Sequence, residues 1–325
     1  MVDISIVIVN YKSWNDLKTC LQSIVSINSH RFTVETIVVD NQSNDGKIED
    51  FKHLFPSISF IENSGNNGFA NGCNVGAYRA KGNYLFFLNP DTVISENAIY
   101  ELWHTASITP SLGIVCCTQI NQSCKHYNEI RFFPSLGTLF GPLRALFKVI
   151  NKQLIKENYN PEKQIVFPDW TTGAVIFMSK TWFEKVRGWT ENYWLYFEDI
   201  DLCKKVTKQG GKIGLIRNTS ILHKHGGASR INIKTKALTK TEVLISQHVY
   251  FNLHTKGLEK FCIQLLLISS NLVEKILLAI VGTVFFFIPK LKVNLFILKH
   301  LILYYYNCII HTTWTSPRAM NYLKK

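Results

Sequence analysis

Short apolar runs rich in β-branched residues alternate with longer stretches of helical periodicity along the first third of the chain. Residues 4–9, 36–39, 58–61, 84–88 and 113–117 read as strands. The intervening stretches 14–26, 48–55, 69–80 and 96–105 are long enough for helices that cross between parallel strands. The expected class is α/β, an open twisted, mainly parallel sheet with helices on both faces. In such sheets ligands gather at the carboxyl ends of the strands. Here those ends are polar: Asn10-Tyr11-Lys12, then Asp40-Asn41-Gln42-Ser43-Asn44-Asp45-Gly46, then Asn63 to Gly68, then Asn89-Pro90-Asp91. Four strand ends should therefore converge on one rim.

Periodicity weakens over residues 123–164, where turn residues are frequent, as expected of a variable insertion facing an acceptor or a partner. Regular structure should resume with a strand at 173–178, a helix at 180–186, and a helix at 199–209 ended by Gly210-Gly211. Strands at 213–216 and 220–222 and a helix at 234–254 follow. The pattern then becomes apolar and basic, which places a boundary near residue 255: a catalytic part at 1–255 and a helical tail at 256–325.

Charge sharpens the reading of that tail. The net charge of +13 over 325 residues is uneven, because from Cys203 onward the acids are Glu242, Glu259 and Glu274 alone. A basic half seeks either a phosphate polymer or an anionic lipid surface. Residues 276–288 and 295–310 embed the basic positions in apolar text, which favours a membrane surface and disfavours nucleic acid. Residues 276–288 fall short of the about 20 needed to span a bilayer and are preceded by Glu274 and Lys275, so interfacial or re-entrant helices are expected. Eight cysteines without C-x-x-C spacing suggest a reducing compartment. Met1-Val2-Asp3 leads directly into the first strand without a basic n-region, so no secretory signal is expected and the catalytic part should stay inside the cell.

Several motifs offer chemistry, each beside a plainer alternative. Asp91 stands at a strand end, where a carboxylate can ligate a hard cation or cap a turn. Asp40 begins a cluster suited equally to a β-turn or to holding a nucleoside. The Asn66 to Gly76 stretch, with Asn67, Gly68 and Asn74, opens a helix either toward a phosphate or sugar or for close packing on the sheet. It is not the dinucleotide fingerprint, which would follow the first strand, where Asn10-Tyr11-Lys12 stands. Glu198-Asp199-Ile200-Asp201 puts three carboxylates at a helix start amid Trp189, Tyr193, Trp194, Tyr196 and Phe197, aromatics that could stack on a sugar and desolvate a general base. His223 and His225 could share a strand face, but further zinc ligands at suitable spacing are lacking in the sequence.

Together these residues resemble the inverting glycosyltransferases of family two, of the rhamnosyltransferase-like kind in bacterial surface-polysaccharide assembly. The resemblance covers about residues 3–230 and rests on Val7 to Tyr11, Val38 to Ser43, Asn67 to Ala70 with Gly72, Asn74 and Gly76, Leu88 to Asp91, Tyr196 to Leu202, and His223 with Gly226 and Ser229. It implies a GT-A-type, Rossmann-like fold in which Asp40 and Asn41, with Asn10 and Tyr11, hold the nucleotide, while Asn67, Gly68, Asn74 and Asn89 line the nucleotide-sugar. Asp91 would ligate Mg²⁺ or Mn²⁺ on the diphosphate, with His223 completing that shell, and Asp199 would be the general base. Trp189, Trp194, Tyr196, Glu198 and Asp201 would form the acceptor region. The implied partners are a nucleotide-diphosphate sugar, a saccharide acceptor carried on a polyprenyl diphosphate, and the cytoplasmic face of the inner membrane. Departures are visible: Asn89 replaces the leading carboxylate of D-x-D, Arg187-Gly188-Trp189-Thr190-Glu191 replaces Gly-Gly-Phe-Asp-Glu, and the Q-x-x-R-W of processive synthases is missing. Addition of one sugar is therefore expected, with a non-catalytic sugar-nucleotide sensor or membrane scaffold of the same fold as the alternative.

Overall fold

The computed structural model describes residues 2–139, 141–224, 232–285 and 287–322. The chain opens with β1 (Ile4–Asn10), α1 (Trp14–Val25), β2 (Val34–Asp40), α2 (Lys47–Leu54), β3 (Ser59–Glu62), α3 (Phe69–Arg79) and β4 (Tyr84–Leu88). Next come β5 (Thr92–Val93), α4 (Glu96–Ile108), β6 (Leu112–Ile120), α5 (Leu136–Leu139), α6 (Gly141–Ile150) and α7 (Lys152–Asn158). It continues through β7 (Ile165–Val166), β8 (Val175–Ser179), α8 (Lys180–Lys185), α9 (Glu198–Lys208) and β9 (Lys212–His223). Three long helices end the chain: α10 (Ile233–His254), α11 (Gly257–Val284) and α12 (Pro289–His311).

Local sequence explains the boundaries. In α1, Trp14, Leu17, Cys20, Leu21 and Ile24 recur at helical spacing and are all buried. Leu17 and Leu21 are fully enclosed, and burying each contributes about 1.5–3 kcal/mol, so a polar residue at either would detach the helix from the sheet. Ser95 caps α4 by accepting from Ala98 N at 3.2 Å and Ser179 caps α8 by accepting from Trp182 N at 3.2 Å. Gly210, at φ +83°, stops α9 in the left-handed conformation that a side chain resists.

The nine strands form one sheet in the order β3-β2-β1-β4-β8-β6-β9-β5, with β7 on β9. Strands β3, β2, β1 and β4 are parallel, so their carboxyl ends share one edge. The rest of the sheet is mixed: β9 runs parallel to β6, while β8 runs antiparallel to β4 and β6 and β5 and β7 antiparallel to β9. The chain enters β8 from the stretch after β7, which passes the carboxyl end of β4, and so runs down the sheet. Apolar side chains from β1, β4, β6 and β8 meet α1 and α4 in one core that includes Ile6, Phe86, Val115, Phe177, Leu17 and Leu102.

Three expectations are corrected by the structure. Residues 213–216 and 220–222 belong to one strand, β9, whose register against β6 jumps between Ile216 and Ser220; Arg217 at the jump turns to Glu129 (2.8 Å), which interrupts the apolar pattern without ending the strand. The 123–164 stretch holds three short helices. The short apolar run expected at 276–288 is instead shared with a longer helix, since Glu274 and Lys275 lie within α11, which runs unbroken for 28 residues.

The chain divides into two compact units. One comprises Met1–Asn66, Gly72–Trp189 and Asp199–His225; the other comprises Asn67–Asn71, Thr190–Glu198 and Gly226–Lys325. In the second unit, Ala237 of α10 packs with Val293, Ile297 and Leu301 of α12. Buried polar groups also tie its helices together: His248 bonds Gln264 and the Tyr305 hydroxyl, and Glu242 accepts from Ser316 and Arg318.

Candidate active site

Within the first unit, the ends of β1, β2 and β3 are laced by short polar contacts. Asp40 is buried; its Oδ1 accepts from Asn10 Nδ2 at 2.8 Å and Ser43 Oγ at 2.6 Å, and its Oδ2 accepts from Ser43 N at 2.8 Å. Three of about four acceptor positions are thus engaged in the turn. Asn41 Oδ1 accepts from Asn63 Nδ2 at 3.0 Å. Lys12, Gln42 and Asn44 all have positive φ, which bends the chain sharply as it leaves β1 and β2. Tyr11 stands partly exposed beside this rim with Lys12 over its ring.

The end of β4 leads to a second cluster. Asn89 N bonds Ala174 O at 3.0 Å, and its carbonyl accepts from Thr92 Oγ1 at 2.8 Å. The two residues of β5 then pair with the end of β9, Thr92 opposite His223. That pairing sets His223 Nε2 3.2 Å from Asp91 Oδ1, both side chains largely buried. The other ring nitrogen, Nδ1, meets Gln119 Oε1 at 2.9 Å, and Gln119 Nε2 donates to Thr172 Oγ1 at 2.9 Å. With Nδ1 carrying the proton toward Gln119, Nε2 turns its lone pair to the Asp91 side. A carboxylate and an imidazole are suitable donors for Mg²⁺ or Mn²⁺, and 3.2 Å is close to the about 3.0 Å between adjacent ligands of a cation with bonds near 2.1 Å. Among the described residues no cluster of three or more His, Cys, Asp or Glu forms a ready-made metal cage, so the pair offers two protein ligands of these types. His225, Gly226 and Ser229 lie outside the described residues.

Asp199 sits at the start of α9. Its Oδ2 accepts from Gly173 N at 2.9 Å and its Oδ1 from Ile200 N at 2.8 Å. Burial pushes its carboxyl above the ordinary aspartate value, against those two backbone N–H groups and the nearby charge of Arg131. A carboxylate raised in this way is a better proton acceptor near neutrality. Asp201 is buried and lies 3.7 Å from Lys205 Nζ, which donates to Gly188 O at 2.6 Å. The Asp201–Lys205 pair thereby fixes α9 to the turn at Arg187 and Gly188, both at positive φ. Asn74 bonds Trp189 in both directions, Nδ2 to O and Oδ1 from N, each at 2.9 Å. Trp189 is 2% exposed and meets Phe87 edge-on at 5.2 Å, as a core residue does.

Within the second unit, Gly68 (φ +102°) lies so close to the backbone of Trp194 that no side chain fits there, and Phe69 N donates to Trp194 O at 3.0 Å. Asn67 precedes this contact, and Asn71 Nδ2 reaches Glu191 Oε1 at 3.2 Å. Tyr196 and Phe197 are successive non-glycine residues at φ +72° and +69°. Such strain costs about 1–3 kcal/mol each and persists where the surroundings hold it. Tyr193 and Glu198 are buried, whereas Trp194, Tyr196 and Phe197 keep partial exposure.

Sequence reasoning passed over Gln119, Thr172, Gly173 and Arg131. Thr171-Thr172-Gly173, small and polar just before an apolar strand, was the available signal for the middle pair; Gln119 and Arg131 carry none. A cavity of about 390 Å³ lined by Ile24, Phe32, Thr33, Thr36 and Ile58 contains none of these residues.

The model for glycosyl transferase family 2 matches residues 5–182, and that for the N-terminal domain of galactosyltransferase matches residues 159–225. The chain is 27% identical over 225 residues to the low-salt glycan biosynthesis hexosyltransferase Agl10 of Haloferax volcanii, covering 68% of this chain and 67% of that one. It is 24% identical over 226 residues to the rhamnosyltransferase WbbL of Escherichia coli K12, covering 67% and 82%. It is also 24% identical over 236 residues to the N-acetylglucosaminyl-diphospho-decaprenol L-rhamnosyltransferase of Mycobacterium tuberculosis, covering 67% and 75%. Among solved structures, GalNAc-T7 with UDP, GalNAc and Mn²⁺ aligns with TM-score 0.54 at 15% identity over 75% of this chain; the chain spans about half, 48%, of that one. The mannosyltransferase PcManGT of Pyrobaculum calidifontis, with GDP-Man and Mn²⁺, aligns with TM-score 0.53 at 13% identity, covering 79% and 66%. The shared fold is of GT-A type, and with the family match extending over more than half of its length this chain belongs to glycosyl transferase family 2.

Proposed function

We propose that this glycosyltransferase is inverting and moves a single sugar, with rhamnose as the first candidate, from a nucleotide-diphosphate sugar to a hydroxyl of a saccharide carried on a polyprenyl diphosphate. Its setting would be cell-surface polysaccharide assembly at the cytoplasmic face of the membrane. Residues 1–255 would form the catalytic part and 256–325 the membrane-associating part. The observation that carries the reading is the meeting of Asp91 and His223 at 3.2 Å, two residues distant in sequence, at the edge where the parallel strands end. The names of the rhamnosyltransferase relatives support the sugar, and the decaprenol-linked relative supports the lipid carrier. The cation is supported by the Mn²⁺ of the structural neighbours.

In this mechanism Asp199 takes the proton of the acceptor hydroxyl while that oxygen attacks the anomeric carbon; the carbon–oxygen bond to the diphosphate breaks on the opposite face, and configuration inverts. General-base help of this kind is worth about 10²- to 10⁴-fold. The backbone N–H groups of Gly173 and Ile200 aim the carboxylate, while burial keeps it basic. Asp91 and His223 would hold a divalent cation, which neutralises charge on the departing diphosphate. Gln119 holds the His223 ring in the orientation this requires. The test is release or transfer of sugar from a panel of nucleotide sugars, with Mg²⁺, Mn²⁺ or EDTA, beside Asp199→Asn. Metal-dependent turnover of one donor that disappears in the variant supports the reading; turnover undiminished in Asp199→Asn overturns the assignment of the base.

A further inference from the structure

Arg131 lies in the segment between β6 and α5, and nothing in the family reading uses it. Its backbone is fastened: N donates to the Tyr159 hydroxyl at 3.3 Å, and O accepts from Asp169 N at 3.1 Å. The next residues clamp the same partner segment, with Phe133 N donating to Asp169 Oδ2 at 2.7 Å and Trp170 Nε1 to Phe132 O at 2.9 Å. The side chain is fixed as well. The guanidinium carbon lies 4.6 Å from the centroid of the Trp170 ring, and Nε donates to Asn128 O at 3.2 Å. Three residues beyond Trp170 is Gly173, whose N–H holds Asp199.

The orientation leaves the terminal nitrogens Nη1 and Nη2 without a partner among the described residues. Arg217 shows the contrast: its Nε and Nη2 bond Glu129 and its Nη1 bonds the carbonyls of Asn160 and Lys163. Glu129, the acid nearest Arg131 in sequence, is thus already taken. An arginine stacked, half-buried and pinned through Nε presents a planar fork that matches paired oxygens of a phosphoryl group. Lys204 on α9, its Nζ 4.2 Å from the centroid of the Phe133 ring, adds a second positive charge to the same cluster. Arg131 is near enough for its charge to act on Asp199, and the Trp170 ring on which it stacks stands three residues before the Gly173 N–H that holds that carboxylate.

We propose that the Nη1–Nη2 fork of Arg131 is a diphosphate-binding group beside Asp199. This rests on the glycosyl-transfer reading, in which two diphosphates occur: the leaving group of the nucleotide sugar and the lipid-linked anchor of the acceptor. Isothermal titration separates them, using dTDP and UDP with Mg²⁺ as donor-side probes and farnesyl diphosphate as the acceptor-side probe, on the full chain and on Arg131→Ala and Arg131→Lys. The expected result is about a ten- to hundredfold loss of affinity in Arg131→Ala for one probe class, with a smaller loss in Arg131→Lys, which keeps the charge but not the fork. A loss confined to the nucleotides assigns the fork to the donor; one confined to farnesyl diphosphate assigns it to the acceptor. Thermal melting of both variants checks that the loss is not unfolding, and Arg131→Lys carries the test if Arg131→Ala melts early. Unchanged affinity in both variants for every probe that the natural chain binds overturns the proposal while leaving the glycosyltransferase reading standing. A natural chain that binds neither nucleotide nor farnesyl diphosphate overturns both.

Discussion

Asp199 is held between opposing influences, and its chemistry depends on their balance. Burial raises its carboxyl above the ordinary value of 3.8, while Gly173 N, Ile200 N and the Arg131 charge pull it back. A general base works only when deprotonated, so activity should fall as pH drops through the raised value, at a higher pH than an ordinary aspartate would give. A pH profile of kcat/KM on the identified donor checks this, and Arg131→Ala, which removes a stabilising charge, should move the acidic limb further up. Asp199→Asn should lower turnover by about 10²- to 10⁴-fold with nucleotide affinity unchanged. The Asp91 and His223 pair predicts a different signature. In the proposed role of joint cation ligands, Asp91→Asn and His223→Ala should each weaken Mn²⁺-dependent nucleotide binding by about tenfold or more, with less-than-additive loss in the double variant. Equal binding with and without Mn²⁺ in the natural chain would remove that role.

At the scale of elements, α3 shows why small residues recur in its sequence. A Cβ on Gly72 would lie 2.7 Å from Val9 Cγ1, and Gly76 lies as tightly against Val7. These glycines let the helix approach β1, so close packing explains them without a ligand. Gly72→Val should cost about 1–3 kcal/mol in urea unfolding. The parallel half of the sheet was legible because β1, β2 and β4 each bury a continuous apolar run, the pattern of strands covered on both faces. By contrast β5 has only two residues, Thr92 and Val93, too few to show any period, yet it is the element that carries Asp91 to His223. Trp189 and Tyr193 looked like a sugar platform because composition does not distinguish a ring that stacks on a ligand from one that fills a core. The polar rim was visible as text; its division into Asp40 holding a turn and Asp91 facing a histidine was not, since both are carboxylates at strand ends.

On the scale of the whole molecule, the helical second unit should have its own pH dependence. His248 is buried between Gln264, Tyr305 and the Trp314 ring, and burial lowers its pKa from 6.5 to about 4. The unfolded chain therefore takes up the proton first, and stability is full above about 6.5 and is lost as pH falls toward 4, by an amount on the order of 3 kcal/mol. Melting followed from pH 7 to pH 4 should show that decline, and His248→Gln, which cannot titrate, should flatten it. The proposed membrane association turns on α11. Its inner side chains Ile263, Leu267, Asn271, Ala279 and Gly282 are buried, while Phe261, Leu265, Val273, Leu277, Ile280 and Val284 are exposed along the other face. Both α11 and α12 are long and apolar enough to cross a bilayer by length and composition. However, α12 is packed on α10 through Val293, Ile297 and Leu301, and α10 carries Lys234, Lys236 and Lys240. The outer side of α12, with Ile302, Leu303, Ile309 and Ile310, is exposed like that of α11, and with basic residues along all three helices the pair is expected to lie in the interface, α11 being about 42 Å long at 1.5 Å per residue. Seven Lys and Arg against two Glu over residues 256–322 favour an anionic leaflet. Removing the tail is a poor test, because Ser316 and Arg318 bond Glu242 and would take the unit's packing with them. Replacing Leu265, Leu277 and Ile280 together with serine leaves those contacts alone. At roughly 1 kcal/mol for each half-buried side chain, it should weaken co-sedimentation with phosphatidylglycerol vesicles about a hundredfold. The natural chain should also be released by alkaline carbonate; retention through carbonate washing, or sedimentation indifferent to the three serines, would point to a span instead.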